Sequence, residues 1–310
     1  MNALSKVMIS PHIHSGRSTA GIMRDVLIAL LPAAVAGTVI FGAKALLPIV
    51  LCVGCCVGFE ALFNLLTKRE QTVGDLSAAV TGLLLALNLP VNVPLWQCAV
   101  GSLFAILLVK CLFGGMGKNL VNPAITARVF MLVAFNSMAV SAFPVNPAAD
   151  AVAGATPLAA EKMPSLLTMF LGNYGGSIGE TCTAALLLGG IYLLVRRIIT
   201  WHIPAVFIGT VFVFSLFTTG FDVTSALALT MAGGVFIGAI FMATDYVTSP
   251  STPWGKVLFG LGAGLLTCLI RYYGVYPEGV SFAILMMNIL TPYIDRLTRH
   301  KVFAAEGGKA

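Results

Sequence analysis

The feature that most constrains this chain is the recurrence of long apolar stretches without a formal charge: residues 26–43, 45–59, 76–109, 129–149, 181–195, 198–221, 223–244, 257–270 and 279–294. A helix that crosses a bilayer needs ~20 mostly apolar residues, and helices and closed barrels alone satisfy their backbone groups without water. Stretches so long and so numerous exclude a soluble fold. Of the 310 residues, 58% are apolar and 10% are charged, whereas soluble domains carry about 25% charge. The chain is expected to be an all-α polytopic membrane protein.

The stretch 76–109 is interrupted at 88–94 by "NLPVNVP", whose prolines and asparagines break a helix. Ten spans follow, at about 25–42, 45–67, 74–89, 95–113, 123–142, 178–196, 203–219, 223–243, 256–272 and 279–295. Lys and Arg are retained on the cytoplasmic side. With the N-terminus inside, Lys6, Arg17, Arg24, Lys68, Arg69, Lys110, Lys118, Arg128, Arg196, Arg197, Lys256, Arg296, Arg299, Lys301 and Lys309 fall inside, and Lys44, Lys162 and Arg271 outside, fifteen against three. Both termini are therefore expected in the cytoplasm and the loop around 143–178 on the outer face. The first 24 residues lack the short apolar core and small-residue cleavage site of a signal peptide. The basic residues cluster at the ends of apolar stretches, so the net charge of +6 implies lipid rather than nucleic acid as partner.

An internal echo divides the chain. "ALNLPVNVPLW" (86–96) and "ATDYVTSPSTPW" (243–254) both end a polar, proline-broken segment in Trp, about 158 residues apart. The expected halves are 25–142 and 178–296, five spans each, joined by an outer loop at 143–177 and flanked by a cytoplasmic segment, 1–24, and tail, 297–310. An odd number of spans per half inverts the second relative to the first, an architecture in which transporters place sites at broken helices.

The seven cysteines mostly lie inside apolar stretches, and Cys52, Cys55 and Cys56 have no second Cys or His pair to complete a metal site. They read as small buried apolar residues. Polar residues are more informative. "GGMGKNLVNPA" (114–124) offers a glycine turn with Asn119 and Asn122. "MATDYVTSPSTPWG" (242–255) sets Asp245 among hydroxyls at the end of a span, either in a functional cavity or as a boundary charge. Glu60 interrupts the second span and reads in the same two ways, as a functional acid at membrane depth or as a partner of Lys68 or Arg69 by snorkelling. In "DAVAGATPLAA" (150–160), Thr156 follows Gly154 and Ala155 and precedes Pro157, so its hydroxyl is reachable by a modifying enzyme.

"DAVAGAT" resembles the flavinylation motif Asp-x-x-Ser/Thr-Gly-Ala-Thr, with Ala153 in place of the usual Ser or Thr. With "SPHIHS" (10–15), "GGMGKNLVNPA", "MATDYVTSPSTPWG" and "YPEGVSFAILMMNILTPYIDR" (276–296), the chain resembles the D subunit of the Rnf ion-translocating electron-transport complex across nearly its whole length. The B subunit of the sodium-pumping NADH:quinone oxidoreductase is related and longer. The resemblance implies FMN attached by a flavin transferase through a phosphoester to Thr156, with Asp150, Gly154 and Ala155 completing the motif. It also implies the A, B, C, E and G subunits as partners in a prokaryotic inner membrane, and ferredoxin:NAD electron transfer coupled to Na⁺ or H⁺ movement. The family is associated with a second, non-covalent flavin, riboflavin, for which Asn119, Asn122 and Asp245 are the candidates here. No Cys₄ spacing or strand-linked GxGxxG is present, so iron–sulfur and NAD sites are expected on partners. A small-solute or ion transporter on the same scaffold is the alternative.

Overall fold

The computed structural model describes residues 18–135, 164–274 and 279–299, and every regular element among them is helical. The elements are Thr19–Phe41 (α1), Leu46–Leu66 (α2), Ser77–Leu87 (α3), Leu95–Leu103 (α4, continued as a π-helix over Phe104–Cys111), Pro123–Ala134 (α5) and Leu166–Leu171 (α6). Thr183–Val195 (α7), His202–Thr218 (α8), Val223–Met231 (α9), Val235–Ile237 (α10, with a π-turn over Gly238–Met242), Pro253–Tyr273 (α11) and Val280–Thr298 (α12) follow.

Local chemistry sets several boundaries. Asn122 caps α5 by accepting from Ala124 N at 3.0 Å, with Pro123 in the first turn. Thr252 caps α11 by accepting from Gly255 N at 3.0 Å, with Pro253 after it. Both use an oxygen side chain for an orphan amide and a proline where no amide bond is lost.

Four segments are long and apolar enough to cross a bilayer: Thr19–Phe41, Ala43–Leu66, Pro253–Tyr273 and Val280–Thr298. α9 and the segment through Met242 make a fifth if the pair, bent by 64°, is one span. The other apolar helices are shorter. α3 has 11 residues, about 16 Å at 1.5 Å per residue, roughly half of a ~30 Å hydrocarbon core.

The span expected at 223–243 is not one continuous helix. It breaks at 232–234, where Gly233 and Gly234 take φ of +70° and +71°, a left-handed conformation natural to glycine. The break frees carbonyls that water would satisfy elsewhere. Here Arg271 donates to Leu229 O at 3.0 Å, Ala232 O at 2.7 Å and Gly233 O at 3.0 Å. Irregular backbone at membrane depth is tolerated where protein covers it in this way.

The other break, after α3, is covered by the segment leading into α7. Gly179 N donates to Leu87 O at 2.7 Å and Ile178 N to Leu89 O at 3.1 Å. α1 packs against α7, α2 against α3, and α11 against both α8 and α12. Contact is close where side chains are smallest: a Cβ at Gly82 would lie 2.7 Å from Cys52 O, and one at Gly189 would collide with Ala29 O. Cys52, Cys56, Cys98, Cys111 and Cys268 are buried, and Cys55 and Cys182 are partly so. Val35, Val39, Leu47, Val50 and Leu188 are exposed, as a hydrocarbon solvent permits.

Candidate functional site: a polar cavity beside a buried ion pair

A cavity of about 100 Å³ lies where α1, α3, the π-helix of α4, the glycine loop and the link after Met242 converge. Asn119, Asn122 and Asp245, 126 residues apart at their extremes, all line it. The glycine loop turns because Gly114, Gly115 and Gly117 adopt φ of +110°, +91° and +87°.

Asn122 caps α5 with its oxygen, while its amide donates to Met242 O at 3.3 Å. With the Asn288 carboxamide oriented to satisfy both its ends, Asn288 accepts from Asn122 N at 3.1 Å and donates to Thr248 O at 3.2 Å. Thr291 also donates to Thr248 O, at 2.8 Å. Four side chains of α12 therefore hold the link 243–252, since Asp295 also accepts from Ser251 N at 3.0 Å and Thr298 lies 2.6 Å from the Thr252 hydroxyl, and Asn288 joins the link to the start of α5. Tyr246 donates its hydroxyl to Ile198 O, anchoring the link to the turn between α7 and α8.

Asp245 accepts from Thr248 Oγ1 at 3.0 Å. Burial pushes its carboxyl upward from the ordinary carboxylate value, against the hydrogen bonds from Thr248 and the backbone of Val247 and Tyr246. The side-chain oxygen of Asn119 is buried without a hydrogen-bond partner among the described residues. A buried acceptor without a donor is costly, and a cation or a ligand N–H would satisfy it.

Ser77 and Lys110 also line the cavity. Lys110 Nζ lies 2.8 and 2.9 Å from the two oxygens of Glu60 and 2.6 Å from Ser77 Oγ. Thr72 donates to Glu60 Oε1 at 2.7 Å, and Ser77 donates to Asp75 Oδ1 at 2.5 Å. The expected pairing of Glu60 with Lys68 or Arg69 is corrected by this geometry. α2 packs against the π-helix, which brings Lys110 onto Glu60, while Arg69 lies over the Phe63 ring. Lys110 and Arg128, counted above among the cytoplasmic charges, are both buried, each 2% exposed. Neither position marks an aqueous face, and thirteen of the fifteen remain.

The sequence missed Lys110 as a cavity residue because it looked like a boundary charge. It missed Asn288 because one amide in an apolar stretch has no periodic signal. Thr156, Asp150, Gly154 and Ala155 lie outside the described residues. Among those residues, no cluster of His, Cys, Asp and Glu forms a metal site.

Comparison with known proteins places this arrangement. The family described as NQR2, RnfD, RnfE matches residues 6–304. The chain belongs to this family. It is 46% identical, over 98% of its length and 96% of the relative, to the D subunit of the Na⁺-translocating ferredoxin:NAD⁺ oxidoreductase complex of Acetobacterium woodii. It is 42% identical, over 94% of its length and 93% of the relative, to the D subunit of the proton-translocating ferredoxin:NAD⁺ oxidoreductase complex of Clostridium ljungdahlii. The D subunit of the ion-translocating oxidoreductase complex of Haemophilus influenzae is 34% identical over 96% of this chain. Relatives with similar identity thus bear names that differ in the coupling ion.

Proposed function

We propose that this chain is the D subunit of an Rnf-type complex in a prokaryotic inner membrane, passing electrons in ferredoxin:NAD oxidoreduction coupled to Na⁺ or H⁺ movement. The observation that carries this reading is similarity to subunits of that name over nearly the whole chain. The A, B, C, E and G subunits are its partners. Both termini are cytoplasmic and the 143–177 loop faces outward, which the basic residues remaining at helix ends support.

The membrane part is two inverted five-helix halves. Corresponding packing supports this: Gly101 of α4 meets Met131 of α5, and Gly262 of α11 meets Met287 of α12. α2 likewise packs on α4 as α8 packs on α11.

FMN is attached at Thr156 by a flavin transferase, on the strength of "DAVAGAT". When bound, FMN supplies one-electron redox chemistry; the chain holds it at the outer face, where a tether keeps its effective concentration high. The cavity of Asn119, Asn122 and Asp245 serves the membrane step. Its volume of about 100 Å³ falls below the ~300 Å³ of small cofactor pockets and suits water or a hydrated cation. Riboflavin enters only if the flexible Met23 and Met116 side chains lining it move aside.

The test is flavin fluorescence of the denatured band after co-expression with the transferase. Thr156→Val should abolish it while membrane insertion persists. A fluorescent Thr156→Val band overturns the attachment site, and a band that never fluoresces overturns the covalent flavin.

A further inference from the structure

Two helices stop part-way across the membrane from opposite sides. α3 has 11 residues and α9 has 9, ~16 and ~14 Å at 1.5 Å per residue, each about half of a ~30 Å core. With the topology proposed above, on which this inference rests, α3 enters from the cytoplasm and α9 from outside. Leu87 and the Gly233–Gly234 break then lie near the same depth. Broken helices that meet near the midplane are where inverted-repeat transporters hold their ions.

One segment touches both breaks, and it carries a buried acid. Gly179 N is bonded to Leu87 O. The next residue, Glu180, is 3% exposed, and its Cδ lies 4.0 Å from where a Cβ at Gly234 would stand. Ser177 donates its hydroxyl to Glu180 Oε2 at 2.5 Å. Thr181 is fully buried, and its hydroxyl has no hydrogen-bond partner among the described residues. The two side chains flank one gap: a Cβ at Gly176 would meet Thr181 Cγ2 at 2.9 Å, Tyr174 Cε2 at 3.7 Å and Glu180 Cδ at 3.8 Å. Arg271 reaches the same break and is fixed on the carbonyls of Leu229, Ala232 and Gly233.

An acid at membrane depth is costly and marks an ion path by default. An unpaired hydroxyl beside it is an oxygen left for a ligand. We infer that Glu180 and Thr181 bind a dehydrated Na⁺ between the two broken helices, as a station of the translocated ion. Protein oxygens replace the water that such an ion gives up. A proton would need the carboxylate alone and would leave the Thr181 hydroxyl without a role. The charge of Arg271 at the same break offsets that of Glu180 when no ion is bound, so the site can release its ion as well as take it up.

The test is thermal unfolding of the full chain in detergent, in sodium chloride and in choline chloride at equal ionic strength. A ligand that binds the folded state alone raises the midpoint. Na⁺ should raise it in the parent, and Glu180→Gln should lose that shift. Thr181→Val keeps the shape and removes the oxygen; it should melt like the parent in choline yet need several-fold more Na⁺ for the same shift. In the purified complex in vesicles, Thr181→Val should raise the Na⁺ concentration for half-maximal ferredoxin:NAD⁺ turnover by a similar factor. Equal parent midpoints in the two salts, a Glu180→Gln chain that keeps the shift, or a Thr181→Val chain with the parent's Na⁺ dependence overturns the proposal. A Na⁺ shift that both variants diminish, in a complex without ferredoxin:NAD⁺ activity, supports the site and overturns the proposed function instead.

Discussion

Two ion pairs join distant parts of this chain in opposite surroundings. Glu60 and Lys110 face each other with side chains 3% and 2% exposed, and Asp25 and Arg196 with side chains 12% and 54% exposed. The distances are alike, 2.8 and 2.9 Å, yet the energetics differ. Two charges in a low-dielectric interior are each expensive, so the first pair is tolerable only because both are compensated and hydrogen-bonded, by Ser77 and Thr72. The second is a boundary contact screened by water and salt, with Tyr192 as an added donor to Asp25 at 3.2 Å. Geometry alone does not rank ion pairs. Solvent access does.

The largest expected effect isolates one buried charge. Lys110→Met leaves Glu60 in the interior with Thr72 as its remaining donor and should cost about 3–5 kcal/mol, read as a lowered unfolding midpoint in detergent. The double variant Glu60→Gln/Lys110→Met should recover most of that loss. A Lys110→Met protein as stable as the parent would remove the distinction between the two pairs. An intermediate effect is expected from a neutral crosslink of the same interior. Asn288→Ala strands Asn122 N and removes one donor from Thr248 O, at about 1–3 kcal/mol; no change in midpoint would mean that water replaces it. The smallest effect belongs to the exposed pair. Arg196→Gln should shift the midpoint little, and 1 M salt, where the screening length is about 3 Å, should erase that shift while leaving the loss in Lys110→Met intact. A salt-insensitive Arg196→Gln effect would show that Asp25 and Arg196 are sealed as well.

The helix breaks show how far the chain can be read without its fold. "NLPVNVP" announces its own break, and α3 stops at Leu87 and α4 begins at Leu95 around it, since proline removes donors wherever it sits. The break at 232–234 is silent in comparison. Gly233 and Gly234 lie in an uncharged apolar run, and glycine permits a turn without requiring one. What turns them into a break is the guanidinium of Arg271, 38 residues away from Gly233, waiting at the freed carbonyls. The candidate site divides similarly. Asn119, Asn122 and Asp245 were visible as polar residues beside breaks, whereas Lys110 and Asn288 were masked by their neighbours.

The amino-acid sequence by itself determined that this chain is helical and lives in a bilayer, that a break falls at "NLPVNVP", and which family it belongs to. Those properties rest on composition, on order along the chain and on interactions within a few residues. The tertiary structure alone decided that Glu60 pairs with Lys110 rather than with the basic residues just past its own helix. It also decided that Asn288 ties two loops and that Asp245 shares a cavity with Asn119. The reason is physical: a charge or amide removed from water takes whatever partner packing delivers within about 3 Å, and packing is set by the meeting of helices far apart in the chain.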